Sequence, residues 1–435
     1  MSVRSACATA LVAASFLLSA CATTDEGSAK AAELTAAQAA LVVDPPTVRT
    51  GGHTLFLAHY MPWYQARPFS KSYGWHWHMG FYDPYTTNED GTHPIATHYY
   101  PLIGPYDSAD PKVIEYQLLT MKAAGIEGVI IDWYGIDPTL DYVQIHKASQ
   151  VLFEAVKKAG MTFAVCYEDQ SITKMILAKA FGEDQAVTRA TETFRWMDSH
   201  WFQDPAYLKV KGRPVVLNFG PQKFFRWSDW EKIFSACTTK PFFVSLEDHA
   251  EHDADAFYNW PEMSKSVGGV LSLDTLVSQL NNFYAKTRDK DFLLASAWPG
   301  FHDIYEQAGV ATSYGFLDDY NGGTFRLTLG AALAAKPDIV QLATWNDYGE
   351  GTILEPNKVR GYGPLEDLQV ARKSLDPGFG FEPADLRIPL ELWKKRTDKA
   401  ADQAVLDRIA QAYFASDTTS ARALATQAGL VPTKL

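Results

Sequence analysis

The sequence has little cysteine and no clustered positive charge. Four cysteines occur in 435 residues, and no Cys/His spacing has the pattern of a structural zinc site. Cys166 lies inside an apolar strand pattern and reads as a small buried hydrophobe. No group of Lys and Arg forms the basic patch that a phosphate backbone requires, and the formal net charge is −12. Nucleic acid is therefore excluded as a partner. The apolar run Ala8 to Ala20 is too short to cross a bilayer as a helix. No internal repeat is visible, and no cofactor is expected.

What is present is a large apolar fraction and many aromatic rings. Hydrophobic residues make up 47% and charged residues 21% of the chain, enough to bury one large core. Many of the 12 Trp and 21 Tyr fall in polar, loop-like segments. Exposed rings stack on the flat faces of sugars, although core packing accounts for more than half of them.

The N-terminus reads as a targeting segment. Arg4 supplies a positive start and Ala8 to Ala20 the apolar stretch. Leu18-Ser19-Ala20-Cys21 then resembles the bacterial lipobox. That resemblance implies removal of residues 1–20 as a signal peptide and a lipid anchor on Cys21. Ala22, rather than Asp, implies outer-membrane placement, on the periplasmic or surface face. Residues 21–48 are expected to be a tether, partly helical at most between Thr23 and Ala40, and closed by Pro45-Pro46. A monomer is expected.

Residues 49–400 alternate between short apolar runs and helical patterns. Strands are expected at Thr54–Tyr60, Gly128–Tyr134, Thr162–Glu168, Arg213–Phe219, Pro241–Leu246, Ala254–Trp260 (the weakest), Phe292–Trp298 and Ile339–Trp345. Helices are expected at Pro111–Ala124, Tyr142–Ala159, Gln185–Trp201, Trp227–Ala236, Ser272–Thr287 and Thr324–Ala335. This alternation implies one (β/α)₈ barrel with long loops after its strands. Residues 401–435 are expected to be a helical extension, with one helix at Ala400–Ala415 packed on the barrel.

Barrels of this kind carry their chemistry at the C-terminal ends of the strands. Those ends read His59 and Tyr60, Asp132 and Trp133, Glu168, Asn218, Glu247, Trp260, Trp298, and Asn346 with Asp347. The strongest segment is Thr344-Trp345-Asn346-Asp347-Tyr348-Gly349-Glu350-Gly351-Thr352, after the last strand. It holds two carboxylates close together, and glycosidic cleavage uses two: one protonates the leaving oxygen, the other activates water or acts at the sugar. Substrate contacts are expected from Tyr60, Trp63, Tyr64, Trp75, Trp77, Asp132, Trp133, Tyr134, Glu168, Glu247, Trp298, Trp345 and Asn346. The aromatic loop Trp75-His76-Trp77-His78-Met79 reads as a substrate-lining loop, and no metal site is expected.

The Asp347/Glu350 segment resembles the Trp-Asn-Asp-Tyr-Gly-Glu signature of glycoside hydrolase family 71, the α-1,3-glucanases. It is also similar to the Asn-Glu-Trp-x-Glu-Gly-Thr segment of family 99, the endo-α-mannosidases. Tyr60-Met61-Pro62-Trp63-Tyr64, His98-Tyr99-Tyr100-Pro101, Gly104-Pro105-Tyr106, Asp132-Trp133-Tyr134-Gly135, Gly212-Arg213-Pro214, Pro299-Gly300-Phe301 and Asn321-Gly322-Gly323 resemble further blocks of this clan, in order, between about residues 53 and 360.

The resemblance implies an endo-acting glycoside hydrolase of an α-linked polysaccharide, with Glu350 as general acid and Asp347 as the second carboxylate. In family 99 that second residue is Glu, thought to deprotonate the sugar 2-hydroxyl and so form a 1,2-anhydro sugar. That route needs the hydroxyl trans to the leaving group, as in an α-mannoside and not in an α-glucoside. The shorter Asp347 leaves about 1.5 Å more room. This favours a water molecule and an inverting route, for which carboxyl separations of ~6.5–9.5 Å are usual. The expectation is therefore an α-1,3-glucan-like substrate cleaved with inversion, with Asp347 as the general base. The alternatives are an α-mannanase using the retaining anhydro-sugar route, and a glycan-binding lipoprotein without turnover.

Overall fold

The computed structural model describes residues 25–46, 52–247, 254–398 and 400–430. The signal segment and Cys21 lie outside them. Eight parallel strands form the barrel: β1 Leu55–Tyr60, β2 Gly128–Trp133, β3 Thr162–Tyr167, β4 Arg213–Asn218, β5 Phe242–Leu246, β6 Ala256–Tyr258, β7 Leu294–Ala297 and β8 Ile339–Leu342. Hydrogen-bonded ladders join β1 through β6 in chain order, β8 to β1, and β7 to β8. At the remaining junction β6 lies against β7, and Ser296 N donates to Asn259 Oδ1 at 2.8 Å just beyond β6. The expected (β/α)₈ barrel is thus formed. Its strands are buried on both faces, which is why they read as continuous apolar runs.

The helices covering the barrel are α2 Pro111–Ala124, α3 Tyr142–Lys158, α4 Ala186–Met197, α5 Trp227–Phe234, α6 Leu273–Thr287, α7 Gly323–Ala334 and α8 Gly363–Leu375; α1 precedes the barrel and is described below. Local chemistry sets their ends. Asp110 caps α2 by accepting from Lys112 N at 2.9 Å, Pro111 opens the helix, and Gly125 closes it with φ +85°. Ser272 caps α6 through Thr275 N.

Two terminal segments differ from expectation. Asp25–Ala40, expected as a partly helical tether, is one continuous helix, α1. It docks on α6 and α7. Ala37 is buried, and Leu34 lies so close to Gly323 that a Cβ there would come within 2.3 Å of it. Lys30 pairs with Asp318 at 2.8 Å, and Asn281 Nδ2 donates to Ala40 O at 3.0 Å. Alanine-rich sequence has high helix propensity, and a small-residue face lets it approach closely. At the other end, the single helix expected at 400–415 is one of several after α8: α9 Ile388–Arg396, α10 Gln403–Phe414 and α11 Thr418–Gln427. Arg396 grips Glu115 of α2 with two 2.8 Å hydrogen bonds, fixing this group to the barrel wall.

The long loop after β1 folds over the barrel mouth. Tyr64, Trp77, Tyr106, Tyr348 and Ile353 form a second, smaller core there.

Candidate active site

Every strand, or the segment that follows it, contributes to one cavity of about 570 Å³ at the C-terminal end of the barrel. From successive strands its wall takes His59, Asp132, Glu168, Phe219, Glu247, Trp260, Phe301 with Tyr305, and finally Asp347 with Glu350. Trp63, Tyr134 and Tyr314 reach it from loops.

Strand alternation decides which of the expected residues arrive there. His59 and Asp132 point inward, so their neighbours Tyr60 and Trp133 point outward. Tyr60 is fully buried and donates to Gln117 Oε1 at 2.6 Å, behind the strand. Trp133 lies among His146, Trp196 and Trp201 under the helices. Six other expected contacts also lie outside the cavity. Trp77 is core, with its indole N–H on Tyr106 O at 2.8 Å. Tyr64 is buried behind the catalytic turn, donating to Asn346 O at 3.0 Å. Asn346 is a brace: its side chain accepts from Met61 N and donates to Met61 O and Tyr106 Oη. Trp345 and Trp298 are buried in the main core. Trp75 is largely exposed on the loop surface. Trp63, Asp132, Tyr134, Glu168, Glu247, Asp347 and Glu350 do line the cavity.

His59, Trp260, Tyr305, Tyr314, Phe219 and Met61 also line it but were not expected as contacts. His59 and Trp260 were visible as strand ends. Tyr305 and Tyr314 sit in an irregular loop, where no periodicity marks a facing direction. The His pair of the aromatic loop diverges: His76 stacks on Trp63 at 4.4 Å, while His78 Nδ1 accepts from Gly80 N.

The two carboxylates share one turn. Asp347 Oδ1 accepts from Glu350 N at 2.9 Å, Asp347 N donates to Thr344 Oγ1 at 2.7 Å, and Gly351 N donates to Asp347 O at 2.9 Å. Gly351 is required: its φ is +73°, and a Cβ would meet His302 O at 2.6 Å. Beneath the turn, Glu355 accepts from Tyr106 Oη and Tyr348 Oη at 2.8 Å and from Gln117 Nε2 at 2.9 Å.

Six lining residues are carboxylates, and none of those lining the cavity is Lys or Arg among the described residues. Burial pushes Asp347 up to about 6, an effect offset in part by the Glu350 and Gly349 N–H groups. Burial, and then the charge of Asp347, push Glu350 well above the ordinary glutamate range. Burial lifts Glu168 to about 8, and lifts Asp132 well above its ordinary range with help from Glu168. The site therefore holds a more readily ionised carboxylate beside one that keeps its proton, as acid and base catalysis requires. His59, Asp132 and Cys166 also bring their ligand-type atoms within 4.8 Å of one another.

Residues 53–368 match the family described as Glycosyl hydrolase family 99. The chain is 26% identical over 368 residues to a glycoprotein endo-alpha-1,2-mannosidase-like protein of Danio rerio, covering 77% of this chain and 76% of that one. It is 24% identical to the glycoprotein endo-alpha-1,2-mannosidase of Mus musculus, covering 68% and 67%. Among solved structures, the GH99 endo-alpha-mannosidase from Bacteroides thetaiotaomicron superposes with a TM-score of 0.54 at 17% identity, over 74% of this chain and 98% of that one. At that identity the likeness speaks for the barrel fold.

Proposed function

The chain belongs to glycosyl hydrolase family 99, and we propose that it is an endo-acting hydrolase of α-mannosides. The observation that carries this reading is the Asp347/Glu350 pair, held on one turn in one cavity and poised at different protonation states. The activities named for the relatives support an α-mannoside over the α-1,3-glucan expected from Asp347.

In this reading Asp347 takes the proton of the sugar 2-hydroxyl. The freed oxygen attacks C1 opposite the leaving group, the glycosidic bond breaks, and Glu350 gives its proton to the departing oxygen. Water then opens the 1,2-anhydro ring at C1. Its proton goes to Glu350, and Asp347 returns its own to O2. Two inversions give retention. One observation favours a second reading: the shorter Asp347 suits direct attack by water on an α-glucan, with inversion.

A panel of α-mannan and α-1,3-glucan, with product sizing, separates the substrates. Proton NMR of the first-formed anomer separates the routes. Oligomannosides of retained configuration are expected; glucan cleavage with an inverted anomer would overturn the proposal.

We also propose a lipid anchor on Cys21, supported by the Leu18-Ser19-Ala20-Cys21 motif. The Cys21→Ala variant should then leave the membrane fraction; if it stays there, Cys21 is not the anchor.

A further inference from the structure

Side chains from three adjacent strands converge at the cavity wall: His59 and Asp132 line it, and Cys166 is buried behind them. Asp132 on β2 lies directly opposite Cys166 on β3 in the ladder, and His59 stands on β1 at the other side of β2. All three are buried, and their nitrogen, oxygen and sulfur ligand atoms lie within 4.8 Å of one another. Asp132 Oδ1 is buried and has no hydrogen-bond partner among the described residues. An orphaned carboxylate oxygen in such a place is costly unless a ligand satisfies it.

The surroundings suit a metal ion. Gln341 donates its amide N–H to Ser296 Oγ at 2.9 Å, so its carbonyl oxygen is the atom that faces His59 Nδ1 at 3.1 Å. That contact keeps a proton on Nδ1 and leaves the Nε2 lone pair as the ring's ligand, the outer support usual for a metal-binding imidazole. The cavity above carries six carboxylates and no Lys or Arg among its described lining residues, which favours a cation. One imidazole, one carboxylate and one thiolate form a borderline-soft set that suits Zn²⁺ and Co²⁺ rather than Mg²⁺ or Ca²⁺.

We propose that His59, Asp132 and Cys166 bind one zinc-class divalent cation at the cavity wall, with its remaining coordination position open to the cavity. Binding forms a metal–sulfur bond and releases the thiol proton to solvent. Because His59 and Asp132 also line the cavity, the bound metal and a glycan compete for the same wall. The metal site itself does not depend on the glycosidase reading.

The test is optical. The full chain, stripped with a chelator, is titrated with Co²⁺, and the near-ultraviolet band of a cobalt–thiolate bond is followed. Saturation at one equivalent is expected, with displacement by Zn²⁺. Cys166→Ser should lose the band, while Cys237→Ser keeps it. His59→Ala should weaken Co²⁺ binding at least tenfold. No band in the wild type, or a band surviving in Cys166→Ser, overturns the site. In hydrolysis assays one equivalent of Zn²⁺ should inhibit the wild type but not Cys166→Ser; a wild type that binds Zn²⁺ and is not inhibited overturns the competition.

Discussion

The backbone N–H of Glu350 donates to the side chain of Asp347 at 2.9 Å. The proposed acid and base are thus tied together by one turn. Their protonation is linked as well, since the charge of Asp347 helps keep the proton on Glu350.

The pH profile should report this pair. In the proposed mechanism, turnover needs Asp347 ionised and Glu350 protonated. With Asp347 at about 6, kcat/KM should fall as pH drops through that value. It should fall again at higher pH, where Glu350 loses the proton that burial and Asp347 hold in place. A full profile of kcat/KM against pH checks this; an acid limb at ordinary carboxylate pH would count against Asp347 as the base.

Removing the acid should matter in proportion to the leaving group. Glu350→Gln should lower kcat on oligosaccharides by about 10²–10⁴-fold. The loss on aryl glycosides with good leaving groups should be much smaller, because these depart without a proton. Parallel kinetics on both substrate types decide it, and equal losses would exclude the acid role.

Glu355 should make stability depend on pH. Burial raises it to about 7, against three hydrogen bonds that lower it. As pH rises from about 4.5 to about 7, the unfolded chain gives up this proton first and the folded protein must then follow. Stability therefore falls over that window, by about 3 kcal/mol from this residue. Glu355→Gln keeps a neutral side chain throughout. Urea unfolding at pH 5 and pH 7 should show a smaller loss in the variant than in the wild type.

The aromatic residues should separate into two classes. Trp63 and Tyr134 line the cavity, so alanine there should raise KM with modest effect on folding. Trp77 is fully buried in the second core, so Trp77→Ala should cost about 3–5 kcal/mol of stability. Chemical denaturation beside steady-state kinetics distinguishes the two. A rise in KM for Trp77→Ala without loss of stability would return that residue to the substrate.

The eight strands, the barrel and the turn that carries Asp347 and Glu350 were legible in the sequence. Apolar continuity marks a strand buried on both faces, and position after the last strand marks Asp347 and Glu350. The facing of individual residues was not legible at the strand ends. Trp133 and Tyr60 adjoin true cavity residues, and a one-residue step turns a side chain through the wall. Composition suggested a tether at residues 21–48, partly helical at most, yet residues 25–40 form a continuous helix docked on α6 and α7.

The sequence by itself determined what its local patterns encode: the alternation of strands and helices, the glycine-dependent turn, and the two carboxylates three residues apart. Tertiary structure alone decided what shares a cavity. His59, Asp132 and Cys166 have no common motif, and only the side-by-side pairing of β1, β2 and β3 in one sheet makes these groups meet. Burial around the cavity then sets which carboxylates hold their protons, because desolvation depends on the neighbours packed around a group and not on its neighbours along the chain.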